Sequence, residues 1–177
     1  MSSLHLLKRE TPWIVPEATI FLNGLLTKDM SVLEFGSGGS TLFFSRRVKS
    51  VVSFESDKEW YKIVRLTLRK RKIDNVRMVF YNPLRMRRRM PIDKFDCILI
   101  DPKLGKNAVD RDWLFKRSLG LLSEKTKILI LDNYSTFASC GMPERHFLKL
   151  CGLSLCNQIN FNNSSWYGTG TKIIYSV

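Results

Sequence analysis

Residues 31 to 45 read Ser-Val-Leu-Glu-Phe-Gly-Ser-Gly-Gly-Ser-Thr-Leu-Phe-Phe-Ser, an apolar run that closes on glutamate, breaks into glycines and then resumes an apolar pattern. The order predicts a strand, a turn and a helix. Val32, Leu33 and Phe35 supply a buried strand. The glycines at 36, 38 and 39 let the backbone come close to a ligand that a Cβ would hold off. Ser40 or Thr41 is placed to cap the helix. Free N–H groups at a helix start behind a glycine turn attract a polar or anionic group, so the expected ligand is nucleotide-like. The competing reading is a tight strand-to-helix connection without a ligand.

The next acid separates the two. Residues 50 to 55 predict a second strand that ends in Glu55, and an acid about 20 residues past the glycine turn stands where a ribose hydroxyl pair is gripped. A carboxylate accepts from both hydroxyls at once. Dinucleotide sites carry their glycines directly behind the strand as G-x-G-x-x-G, whereas here Glu34 precedes the first glycine by two residues and position 41 is threonine. The run Glu34-Phe35-Gly36-Ser37-Gly38 resembles motif I of class I S-adenosylmethionine-dependent methyltransferases, with Ser40 where many members have a third glycine. The resemblance implies that Glu34, Gly36, Ser37 and Gly38 hold the methionine portion of the cofactor, including its ammonium, and that Glu55 holds the ribose.

Further along, residues 10 to 28 read as a loop followed by an amphipathic helix opened near Pro16. In methyltransferases of small molecules this leading segment, here 1–30, lies over the cofactor, which makes Trp13 a candidate lid residue; packing against the sheet edge is its alternative. Helices are expected at 42–48, at 58–72 with Asp57 as cap, at 109–122 and at 143–151. Strands are expected at 76–81, 94–101, 127–131, 153–161 and 170–177. Asn82 ends the third strand, either against the adenine amino group, as the resemblance implies, or as an Asn-Pro turn. The run 95–101, Phe-Asp-Cys-Ile-Leu-Ile-Asp, is apolar enough for a parallel strand covered on both faces. It delivers Asp101 to the sheet edge that carries Glu34 and Glu55, where the resemblance makes it the motif IV acid and a further cofactor-binding residue. The expected fold is one α/β domain over 1–177, a Rossmann-like, doubly wound seven-stranded sheet, mostly parallel and closed by a C-terminal antiparallel hairpin.

The composition agrees with one globular domain: 177 residues, 44% apolar and 25% charged. Cys97, Cys140, Cys151 and Cys156 form no C-x-x-C pair, which favours reduced thiols over zinc or disulfides. The sequence has no apolar run of signal-peptide or membrane-spanning character, so the expected location is cytoplasmic, or nuclear in a eukaryote. A net charge of +13 is anomalous. It gathers in Arg65, Arg69, Lys70, Arg71 and Lys72 and again in Arg85, Arg87, Arg88 and Arg89, either as a site for nucleic acid or another polyanion or as a solvated face.

For the chemistry, Asp101, Asp132 and Asn133 resemble the metal site of catechol-type O-methyltransferases, which implies Mg²⁺ held by three oxygen ligands. A simple strand-end turn at 132–133 is the alternative. Where that group carries its lysine base this chain has Leu104, with Lys103 and Lys106 beside it, so Asp101 and Lys103 are the candidate catalytic groups. The expected activity is O-methylation of a small-molecule acceptor. Methylation of a nucleic acid is the second reading, although Asp101-Pro102-Lys103-Leu104 lacks the second proline and the aromatic with which base-amine methyltransferases hold a flipped base. A methyltransferase-like binding or scaffold protein without turnover is the third.

Overall fold

The computed structural model describes residues 3–82, 91–102, 111–133, 156–161 and 170–176. In chain order these form α1 (Ser3–Arg9), α2 (Pro16–Leu25), β1 (Ser31–Phe35), α3 (Gly39–Ser45), β2 (Ser50–Glu55), α4 (Lys58–Lys70), β3 (Val76–Phe80), β4 (Cys97–Ile100), α5 (Arg111–Leu119), β5 (Lys127–Asp132), β6 (Asn157–Phe161) and β7 (Thr171–Ser176). The strands make one seven-stranded sheet in the order β3-β2-β1-β4-β5-β7-β6. All pairings from β3 to β5 are parallel, and β7 is antiparallel to both β5 and β6. The expected Rossmann-like sheet with its antiparallel end is therefore present.

Side chains alternate between the faces of a strand, and the register aligns that alternation across the sheet. Glu34 pairs with Ser53 on β2 and Leu99 on β4, and Leu99 pairs with Ile130 on β5. One face buries Val32, Val51, Cys97, Leu99, Ile128, Ile130 and Ile173 under Ile14, Val15, Ala18 and Leu22 of the leading segment and Phe43 and Phe44 of α3. The other buries Leu33, Phe35, Val52, Phe54, Ile98, Ile100, Leu129, Leu131 and Ile174 with Leu114 and Phe115 of α5. Period two then sends Glu34, Ser53, Glu55, Asp101 and Asp132 to the first of these faces, at or near the carboxyl ends of their strands. Sheet covering and site placement are the same fact.

Local details depart from the sequence expectation in instructive ways. The helix after the glycine turn starts at Gly39, so its cap is Gly38; Thr41 sits in its first turn and takes the Gly38 N–H on its Oγ1 at 2.9 Å. Asp57 does cap α4, its carboxylate accepting from the Glu59 and Trp60 amides at 3.1 Å. The fourth strand is Cys97–Ile100, and just before it the Asp96 carboxylate accepts from the Ser31 amide and hydroxyl. Trp13 is 37% exposed, while its neighbours Ile14 and Val15 are buried against the sheet. Of the basic block on α4, Arg65, Arg69, Lys70 and Lys72 are exposed, but Arg71 turns inward to pair with Glu10 behind α1. The helix expected at 143–151 lies outside the described residues, as do Cys140 and Cys151.

Candidate cofactor and catalytic site

Gly36 carries the bend out of β1 at a φ of +94°, with its N–H on the Phe54 carbonyl at 2.9 Å. The turn is wedged between β2 and β4. A Cβ built on Gly36 would lie 2.1 Å from the Asp101 carbonyl oxygen, so no other residue fits without moving β4. Gly38 faces the Trp60 indole, 3.7 Å from an ideal Cβ. Trp60 also donates its Nε1–H to the Ser37 carbonyl at 2.7 Å. The loop is thus pinned from α4, a role for Trp60 that helical periodicity alone does not reveal.

Behind the loop, Glu34 is fully buried. Its Oε2 accepts from the hydroxyls of Thr41 and Ser53, each at 2.6 Å, while its Oε1 is buried without a hydrogen-bond partner among the described residues. Burial pushes its pKa up to about 7, against the hydroxyls of Ser40, Ser53 and Thr41, which favour the ionised form. A buried acceptor left open beside a glycine turn is the feature a cationic ligand would complete.

Glu55 ends β2 with both oxygens engaged. Oε2 accepts from the Ser37 amide at 3.0 Å and the Ser37 hydroxyl at 2.8 Å, and Oε1 from the amides of Ser56 and Asp57 at 2.7 and 2.8 Å. Both Glu55 oxygens are therefore already accepting, and a further hydroxyl there would share or displace the Ser37 hydroxyl. Asn82 is exposed two residues beyond the end of β3, at the same edge of the sheet.

The sheet edge of Asp101 and Asp132 holds a group that the sequence does not announce. Ile100 pairs with Leu131, so Asp101 and Asp132 emerge side by side as expected, but the buried Arg111 of α5 joins them. Its Nη1 donates to the Asp132 carbonyl at 2.6 Å and its Nη2 to the Pro102 carbonyl at 2.9 Å. Nη2 also lies 3.5 Å from Asp101 Oδ1. Burial, then the Asp132 charge, raises the Asp101 pKa well above the usual carboxylate range, with Arg111 opposing. Burial lifts Asp132 to about 6, opposed by its hydrogen bond from Thr171 and by Arg111.

The side chains of the expected metal set have other partners in this arrangement. Asp132 already accepts from the Thr171 hydroxyl at 2.8 Å and from the Asn133 amide nitrogen at 2.6 Å. Asn133 therefore turns its nitrogen, not its oxygen, toward the carboxylate. A guanidinium stands beside Asp101, its Nη2 3.5 Å from Oδ1. Among the described residues no group of three or more His, Cys, Asp or Glu could hold a metal ion. Lys103, Leu104 and Lys106 lie outside the described residues, as do Arg85 and Arg87 to Arg89.

Fold and strand-end acids together define a class I methyltransferase fold, and solved structures carry the same architecture. An O-methyltransferase from Bacillus cereus, determined with S-adenosylhomocysteine, superposes with a TM-score of 0.62 at 19% identity over 92% of this chain and 82% of that one. An rRNA methylase from Streptococcus thermophilus gives 0.61 at 14% identity, covering 90% and 93%. Precorrin-6y C5,15-methyltransferase from Geobacter metallireducens gives 0.58 at 15%, covering 89% and 85%. No known family's sequence model matches the chain, and no curated protein matches it.

Proposed function

We propose that the chain is an S-adenosylmethionine-dependent methyltransferase acting on an oxygen of a small molecule. The observation that supports this best is the buried Oε1 of Glu34, unpartnered among the described residues, behind a turn that tolerates only glycine at position 36. An ammonium group satisfies that oxygen, directly or through a water, and keeps Glu34 ionised. Ser37 and Gly38 supply the loop, Glu55 the ribose contact and Asn82 the adenine contact. The cofactor, when bound, supplies an electrophilic methyl group. The chain's part is to align a nucleophile with it and take the nucleophile's proton. Asp101 is the described group placed for that task; Lys103 is the second candidate.

Calorimetry with S-adenosylhomocysteine tests the reading. One site per chain is expected, and Glu55→Ala weakens binding by about 1.5–3 kcal/mol, the scale of hydrogen bonds to a charged group. Saturable binding of NAD with none of S-adenosylhomocysteine overturns it.

The exposed Arg65, Arg69, Lys70 and Lys72 at the end of α4 favour RNA as the second reading of the acceptor. If RNA docks through the basic blocks, its affinity falls linearly on a log–log salt plot. Replacing Arg85, Arg87, Arg88 and Arg89 by glutamine then flattens the slope by about 0.7 per lost phosphate contact. An unchanged slope leaves those arginines as a solvated surface.

A further inference from the structure

Asp101 and Asp132 stand side by side at their strand ends, Asp132 buried and Asp101 half-buried, and a neighbouring cation eases the ionisation of such a pair. Arg111 is that cation. It is 6% exposed and is fixed by the carbonyls of Asp132 and Pro102 at 2.6 and 2.9 Å, so the guanidinium keeps its place independently of the ion pair. Swinging it out would strand those acceptors and leave the carboxylates uncompensated, a costly exchange in a buried site. Thr171 and Asn133 complete the hydrogen bonding of Asp132. Asp101 is the more open acid, its side chain 27% exposed.

On the methyltransferase reading above, we propose that Arg111 is a positioning residue that takes the place a divalent cation would occupy and holds Asp101 aimed at the acceptor. A metal ion with open coordination positions selects acceptors that chelate it through adjacent oxygens. A guanidinium held by backbone carbonyls offers no such position. The acceptor class that fits is a molecule with a single nucleophilic hydroxyl rather than a chelating diol. The hydroxyl oxygen's lone pair forms the bond to the methyl carbon, the electrons of the broken carbon–sulfur bond stay on sulfur, and the hydroxyl proton passes to Asp101.

The test is an electron paramagnetic resonance titration with Mn²⁺, which reads free ion and needs no acceptor. The native chain leaves the Mn²⁺ signal undiminished, and its melting temperature is the same in EDTA and in millimolar Mg²⁺. Arg111→Met removes the charge at similar length and gains Mn²⁺ binding, which a second change, Asp101→Asn, abolishes; Arg111→Lys restores the native result. Stoichiometric Mn²⁺ binding by the native chain, lost in Asp101→Asn, overturns the proposal, as does a folded Arg111→Met that remains blind to Mn²⁺. Should Arg111→Met fail to fold, the native and Asp101→Asn titrations decide. Failure of the methyltransferase reading shows separately, as absent S-adenosylhomocysteine binding to the native chain.

Discussion

Gly36→Ala is expected to destabilise the chain by about 3–5 kcal/mol, at the top of the range for point substitutions, and to abolish binding of S-adenosylhomocysteine. Its effects have separate origins. At a φ of +94° an L side chain costs about 1–2 kcal/mol through its clash with the local backbone. The new methyl would also stand 2.1 Å from the Asp101 carbonyl oxygen and 2.9 Å from its carbon. Those are backbone atoms of the adjacent strand, so relief requires pulling the turn away from β4 and spoiling the Asp101 amide's bond to the Phe35 carbonyl. Gly24 is the internal control: it lies within α2 with nothing within 4 Å of an added Cβ. Gly24→Ala should stabilise by about 0.5–1 kcal/mol through helix propensity. Urea unfolding of both variants measures the contrast; a Gly36→Ala midpoint near the native one would mean that the turn does not meet β4 as described.

The second large effect is a loss of stability with rising pH. The pKa of Glu34 is pushed from 4.5 up to about 7 in the folded chain. Between those values the folded chain binds more protons than the unfolded one, so stability present at low pH is lost as pH rises through this window. At about 1.4 kcal/mol per pH unit of displacement the loss comes to about 3 kcal/mol. Asp132, raised to about 6, and Asp101, raised well above its usual range, act with the same sign. Glu34→Gln keeps an oxygen for the Thr41 and Ser53 hydroxyls but cannot ionise. Its urea stability should therefore fall by about 3 kcal/mol less than the native chain's between pH 4.5 and 8. Parallel pH profiles for the two proteins would show that Glu34 is not the group responsible.

Much of this arrangement is legible in the order of the residues. Glu34, the glycine turn and Glu55 announce themselves because a tight turn between packed strands demands glycine at position 36 and an apolar run that stops on an acid marks a strand end, and Asp57 because a cap is local chemistry. Asp101 and Asp132 are readable as strand-end acids, since an apolar run that stops on an acid shows where its strand leaves the core. Their partners are not readable in the same way. Arg111 sits among Asp110, Asp112, Lys116 and Arg117, a pattern that reads as a solvated helix surface. Only the distant carbonyls of Pro102 and Asp132 make it a buried cation. Ser53 likewise reads as a polar interruption in a strand until the register sets it beside Glu34. Ser40 and Thr41 stand close to the helix start, but cap preference does not distinguish the cap position from the first helical turn.

The Thr171 hydroxyl receives the Val15 amide at 3.1 Å and donates to Asp132 at 2.8 Å. An amide of the leading segment and an acid of the fifth strand therefore meet on a residue separated from Val15 by 156 positions. During synthesis on the ribosome β1 to β5 emerge first, yet β7 must still insert alongside β5 before either group finds its partner. Contacts so distant along the chain are slow to form. The hydrogen bonding of Asp132 is thus completed only by the C-terminal strand: a nascent chain can hold a folded glycine turn while this acid still lacks its Thr171 partner.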